Sequence, residues 1–238
     1  MKTIIWLFFI SFITCHSVNV SSQNKPITWG VKVGVNFSNS STTVGEVSYE
    51  LNEKNTKTGF QLGMTVDFKI SEAFYFQSGL SLTTKGVIFK ETNSFISGMD
   101  TNNRRNRELN VSLSYIQLPI MGAYKVRLSS NFKIIISAGP YLAYGIGGKM
   151  KFNSTFTYLG GYLPNDDDLN SFGERTLKKL DFGLGTGVGL EFKNYCLNFN
   201  YEWGSSNRNR DSYNSDIVIL FHKEYKNRNA SLTLGYKF

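Results

Sequence analysis

The sequence predicts an all-β chain: an eight-stranded antiparallel transmembrane β-barrel of the outer-membrane type, with short periplasmic turns and four long extracellular loops. Three observations predict it. Apolar and polar residues alternate with period two in segments of about 9–11 residues, the length that a tilted membrane strand needs. The connections run long, short, long, short along the whole chain, at 39–57, 70–72, 88–107, 127–131, 145–179, 193–194 and 205–228. Aromatic residues bracket the strands eight positions apart, as in Trp29 and Phe37, Phe60 and Phe68, Tyr195 and Trp203. Eight residues rise about 26 Å along a strand, or roughly 20 Å along the axis of a barrel tilted by 40°, close to the spacing of two interfacial girdles.

The elements follow in order. Met1 and Lys2 precede an unbroken apolar run, Ile4 to Ile13, too short for a spanning helix and suited to a signal-peptide core. Small residues at Val20-Ser21-Ser22 place cleavage before Gln23, so residues 1–22 are expected to be a signal peptide and 23–238 the barrel domain. The first strand sets Trp29, Val31, Val33, Val35 and Phe37 against Gly30, Lys32, Gly34 and Asn36. The second alternates Phe60, Leu62, Met64, Val66 and Phe68 with Gln61, Gly63, Thr65 and Asp67. The third, over 73–87, has Phe74, Phe76, Leu80 and Leu82 on one face.

The fourth, over 108–126, starts with Leu109, Val111 and Leu113 and changes phase to Ile116, Leu118 and Ile120. That implies a bulge near Ser114–Tyr115, with Pro119 facing inward. The fifth, over 132–144, aligns Phe132, Ile134, Ile136, Ala138 and Leu142, with Ile135 and Tyr141 on the opposite face. The sixth alternates Leu180, Phe182, Leu184, Val188 and Leu190 with Asp181, four glycines from Gly183 to Gly189, and Glu191. The seventh sets Tyr195, Leu197, Phe199, Tyr201 and Trp203 against Cys196, Asn198, Asn200 and Glu202. The last sets Ala230, Leu232, Leu234, Tyr236 and Phe238 against Ser231, Thr233, Gly235 and Lys237.

Alternation alone does not say which face is outside, since a lipocalin-like barrel alternates with its apolar face inward. The polar face here combines glycines with charges of both signs. That suits the cramped interior of an eight-stranded barrel better than a solvent surface, where glycine would waste β propensity. Lys32, Asp67, Gln117, Asp181, Glu191, Glu202 and Lys237 are therefore expected to form a structural polar network in the lumen. The terminal aromatics Tyr236 and Phe238 resemble the signal read by the barrel-assembly machinery, although Thr233 stands where a glycine is usual.

Composition closes off other classes. The mean hydropathy of −0.23 excludes a bundle of membrane helices. Two Cys and two His argue against a Cys/His metal site, and removal of residues 1–22 leaves only Cys196 and His222, which precludes an intramolecular disulfide. No cofactor is expected. The formal charge of +8 does not point to nucleic acid in an exported barrel. Arg104, Arg105 and Arg107 beside Lys90, with Arg208 and Arg210 in another connection, would instead face anionic lipopolysaccharide. Asp166-Asp167-Asp168 lacks the alternating spacing of a calcium loop and reads as a solvated acidic tip.

The chain resembles the PorT-type outer-membrane β-barrel proteins common in Bacteroidetes. The resemblance lies in Trp29-Gly30-Val31-Lys32-Val33-Gly34-Val35-Asn36-Phe37-Ser38, Tyr115-Ile116-Gln117-Leu118-Pro119-Ile120 leading to Tyr124-Lys125-Val126, Ala138-Gly139-Pro140-Tyr141, and Asp181-Phe182-Gly183-Leu184-Gly185-Thr186-Gly187. It implies an eight-stranded outer-membrane barrel, with Gln117 where the family usually has Glu and hence a weaker inward charge pair. The namesake is associated with the type IX secretion pathway.

The functional expectation is a non-enzymatic structural or interaction role in the outer membrane, with no catalytic residues. The loops would contact lipopolysaccharide and other envelope or secretion proteins. Two alternatives are a narrow pore or transport-associated barrel, and a lipid- or peptide-acting rim hydrolase. The latter would rest on His222 near Ser212, Ser215 and Glu224, a spacing that fits no hydrolase motif.

Overall fold

The computed structural model describes residues 26–43, 53–97, 100–158, 161–172, 176–206 and 224–238. They form ten strands: β1 (Ile27–Thr43), β2 (Glu53–Lys69), β3 (Phe74–Ser97), β4 (Asp100–Arg127), β5 (Phe132–Gly147), β6 (Lys149–Tyr158), β7 (Gly161–Asn170), β8 (Leu180–Phe192), β9 (Tyr195–Gly204) and β10 (Glu224–Lys237). Every pairing between these strands is antiparallel. The order β3-β2-β1-β10-β9-β8-β5-β4 closes on itself through a β3–β4 pairing, giving an eight-stranded barrel. β6 and β7 lie outside that ring, added to the edge of β4. Closure leaves the barrel no free edge, which is what a strand needs where no water can satisfy its backbone.

One end of the barrel carries the short turns and both ends of the described chain. Ile70 and Ser71 N–H groups donate to Phe74 O at 2.9 and 3.1 Å, and Phe238 N–H donates to Trp29 O at 2.9 Å. In the same turn Lys69 donates to Glu72 at 2.9 Å and holds that carboxyl below its ordinary range. Lys193 takes a positive φ of 52° in the two-residue turn from β8 to β9, the backbone that such tight hairpins require. At the other end the strands run on into arms.

The expected apolar face points outward. Val33, Val35, Leu62, Met64, Leu184, Val188, Leu197, Phe199 and Leu234 are all exposed, whereas Asp67, Asp181, Glu191, Ser231 and Thr233 are buried. Trp29, Phe68, Phe74, Tyr124, Phe192, Tyr195, Tyr236 and Phe238 form an exposed aromatic ring near the turn end. Contacts tie the ring together, with Phe74 and Tyr124 centroids 4.9 Å apart and Tyr195 and Tyr236 5.3 Å apart. Phe37, Phe60, Tyr144, Phe182 and Trp203 mark the other edge of the band.

Two expectations are corrected. The segments 88–107 and 145–179 are not wholly loops. β3 and β4 continue past the apolar band as a paired arm, from Lys90↔Glu108 out to Ser97↔Asp100, and β6–β7 forms a second hairpin that docks on Arg104–Val111 of β4. Their Asn, Ser, Asp and Arg content suits solvent, but solvated strands pair as well as loops do. Asp166, Asp167 and Asp168 accordingly lie within β7, paired with β6, and not at a loop tip.

The second correction concerns β4, which does not change phase. Leu109, Val111, Leu113, Tyr115 and Gln117 are all buried on the inward face, and Ile116 and Leu118 are exposed. A register irregularity does lie at Ser114/Tyr115, but the extra residue is on β5, between Gly145 and Gly147. What reverses along β4 is the surroundings. Beyond the apolar band the outside is water, so the apolar residues turn inward while the strand keeps its phase.

Candidate functional site in the barrel lumen

The polar face fills the lumen in layers. Nearest the turn end, four charges from alternate strands of the ring meet: Asp67 of β2, Lys125 of β4, Glu191 of β8 and Lys237 of β10. Alternate strands share a layer because side chains on neighbouring strands of a staggered barrel sit at different heights. The signs alternate and all four edges are ion pairs. Lys125 lies 2.7 Å from Asp67 and 3.2 Å from Glu191, and Lys237 lies 2.7 Å from Asp67 and 2.6 Å from Glu191. Around this square, Lys133 of β5 donates to Glu191 at 2.9 Å and Gln77 of β3 to Asp67 at 3.0 Å. Lys125 also sits 4.1 Å over the Tyr75 ring. All four side chains are buried or nearly so, and such a set holds together only when each member has its partners.

A second cluster lies higher. Glu202 of β9 accepts from Lys85 of β3 at 2.7 Å, from Gln117 of β4 at 2.6 Å and from Asn229 of β10 at 3.3 Å. Lys85 also stands 4.6 Å over the Tyr141 ring. Above it, Asp181 of β8 accepts from Ser206 at 2.7 Å and from Asn227 at 2.6 Å, and Asn227 reaches the Tyr115 hydroxyl at 3.3 Å.

The arm end is then closed by apolar packing. Val87 and Phe89 of β3, Leu109, Val111, Leu113 and Tyr115 of β4, Met150 of β6, Leu177 and Tyr225 form one buried cluster, with Phe152 and Phe172 against it. Phe172 meets Tyr115 edge-on at 5.6 Å. These are the residues whose inward turn corrects the β4 phase. They build a small soluble-type core on top of the membrane barrel.

Of the residues expected in one lumen network, Asp67, Glu191 and Lys237 come together in the lower square. Gln117 and Glu202 share the upper cluster, and Asp181 belongs to the level above. Lys32 faces the space between them, with Glu202 the carboxylate whose charge reaches it. Lys125, Lys133 and Lys85 carry much of the pairing and lay outside that expected set. Parity reveals them: Lys125 is an even step from inward Pro119, Lys133 two residues before inward Ile135, and Lys85 an odd step from outward Leu80 and Leu82. Tyr236 and Phe238 lie outside the barrel at the end of β10, their rings 5.5 Å apart.

Beyond the lumen, Asp168 lies 3.9 Å from both Lys149 and Lys151, and Lys90 lies 3.4 Å from Glu108. Among the described residues no group of three or more His, Cys, Asp or Glu side chains is arranged to hold a metal ion. His222, Ser212, Ser215, Arg208, Arg210 and the signal-peptide segment 1–22 lie outside the described residues.

The family model for the outer membrane protein beta-barrel domain matches residues 21–208. Among solved structures, Ail, the attachment invasion locus protein of Yersinia pestis, is 14% identical over 90% of this chain and 100% of that chain, with a TM-score of 0.36. Neisserial surface protein A is 13% identical over 90% of this chain and 100% of that chain, with a TM-score of 0.37. A de novo designed transmembrane β-barrel is 11% identical over 91% of this chain and 99% of that chain, with a TM-score of 0.33. A search of curated proteins returns no match.

Proposed function

Because this chain belongs to the outer membrane protein beta-barrel domain family, we propose that it works in the outer membrane as a closed platform that presents its arms to a partner, and not as a channel. The observation that carries this reading is the double closure of the lumen, by the Asp67–Lys125–Glu191–Lys237 square below and the Leu113–Tyr115–Phe89 core above. A conducting barrel needs a continuous wet path, and neither layer supplies one. The β3–β4 arm and the β6–β7 hairpin extend the sheet beyond the apolar band. In this reading export follows cleavage before Gln23, the turns face the periplasm and the arms face outward.

The partner chemistry follows from the sequence. The basic run Arg104, Arg105 and Arg107 favours lipopolysaccharide, and the terminal Tyr236 and Phe238 suit recognition by the barrel-assembly machinery during insertion. The PorT-type resemblance points more narrowly to an envelope or secretion protein as the partner of the arms. Deletion of the β6–β7 hairpin, Lys149–Asn170, tests the reading. The variant barrel is expected to fold, shown by heat-modifiable migration on gels, and to fail in complementing loss of the gene. Full complementation by an armless barrel would overturn the reading.

A further inference from the structure

We propose that the lumen holds a built binding site for one small monovalent anion, at Lys32 of β1. Four observations converge on it. The first is space. A cavity of about 110 Å³ lies between the two charged clusters, lined by Lys32, Asp67, Gln117, Asn200, Glu202 and Lys237 among others, with room for several waters or a small ion. Gln117 Oε1, on the cavity wall, is buried without a hydrogen-bond partner, as expected beside a hydrated cavity.

The second is Lys32 itself. Among the described residues it makes no hydrogen bond and no ion pair, and its one electrostatic partner is Glu202. The oxygens of Glu202 are already taken by Lys85, Gln117 and Asn229. An ammonium half-buried in the lumen with no close acceptor is costly, so a ligand that supplies one is favoured.

The third is the charge balance. On the cavity wall Lys32 and Lys237 stand with Asp67 and Glu202, and since Lys237 is paired to Asp67 and Glu191, and Glu202 to Lys85, Lys32 is the wall cation left without an ion pair. Inside a lipid-surrounded barrel water screens that unpaired charge poorly, and an anion beside it relieves it. The fourth is backbone design. Lys32 pairs with Gly63 on β2 and with Gly235 on β10, so no side chain on either neighbouring strand crowds its place on the wall.

The site takes a halide-sized monovalent anion, and bromide is the probe. Refolded full-length barrel in detergent micelles is heated at increasing sodium bromide. The melting temperature of the wild type and of Lys90→Met, an arm lysine, is expected to rise by roughly 3–5 °C for each tenfold of bromide above the dissociation constant. That of Lys32→Met is expected to stay flat. A wild-type melting temperature that ignores bromide, or a rise that persists in Lys32→Met, overturns the proposal. Should Lys32→Met fail to fold, anomalous diffraction from bromide-soaked wild-type crystals decides. A peak within about 4 Å of Lys32 Nζ upholds the site, and no peak there refutes it.

Discussion

Lys237 donates to Asp67 at 2.7 Å, joining the last strand to the second across a separation of 170 residues. The contact is one edge of a square of alternating charge that seals the turn end of the lumen. Each carboxylate in it has two lysines, and each lysine two carboxylates. The closing strand therefore adds not only its backbone ladder but the fourth corner of a buried network.

Removing one corner leaves buried charge short of partners. Lys125→Met is expected to lower unfolding free energy in denaturant titration by about 3 kcal/mol. Asp67→Asn added to it should recover a substantial part of that loss, since the pair is then removed together. A double variant that simply sums the two single losses would show that the square is not coupled.

The upper core should behave like the interior of a soluble protein. Leu113→Ala leaves a cavity where Leu113 is fully buried, and is expected to cost about 3 kcal/mol. Leu184→Ala, on the exposed outward face, should cost less than half of that, because lipid or detergent fills the gap. Equal costs at the two positions would contradict the inward turn of β4 beyond the apolar band.

The outward face makes a depth-dependent prediction. Val188 lies midway along β8 and Leu180 at its arm end, both exposed. Val188→Arg should destabilise the barrel in lipid vesicles by about 2–4 kcal/mol, and Leu180→Arg by no more than about 1 kcal/mol. A reversed order would mean that the apolar band has been placed at the wrong height.

The glycine ladder of β8 is tested at Gly189, where an added Cβ would run into the Asn198 side chain on β9. Gly189→Val is expected to slow or block refolding and to cost about 1–3 kcal/mol where folding succeeds. Asn198→Ala in the same chain should restore much of the loss, because the obstructing amide is gone.

The barrel was legible in the sequence because each strand carries period two, and lipid on one side with a packed lumen on the other enforce it. The inward Asp67, Glu191, Glu202 and Lys237 followed from the same parity. Lys125 and Lys133 obey that parity too, but each sits among apolar neighbours that draw attention to the other face. The arms were not legible, since Glu91 to Arg107 is mostly polar, with Phe95, Ile96 and Met99 too few to set a period of two, and reads as loop whether paired or not. On β4 the apolar residues change sides while the strand does not. A reader of hydrophobic pattern alone takes that for a bulge, because the pattern records which face is dry and not which way the backbone turns.

Electrical recording of the purified full-length barrel in a planar lipid bilayer tests the central claim, that the lumen is closed both by the Asp67–Lys125–Glu191–Lys237 square and by the core around Leu113 and Phe89. The wild-type barrel should insert without discrete conductance steps, whether in low or high salt. Stable, repeated single-channel openings from properly folded barrels would contradict it.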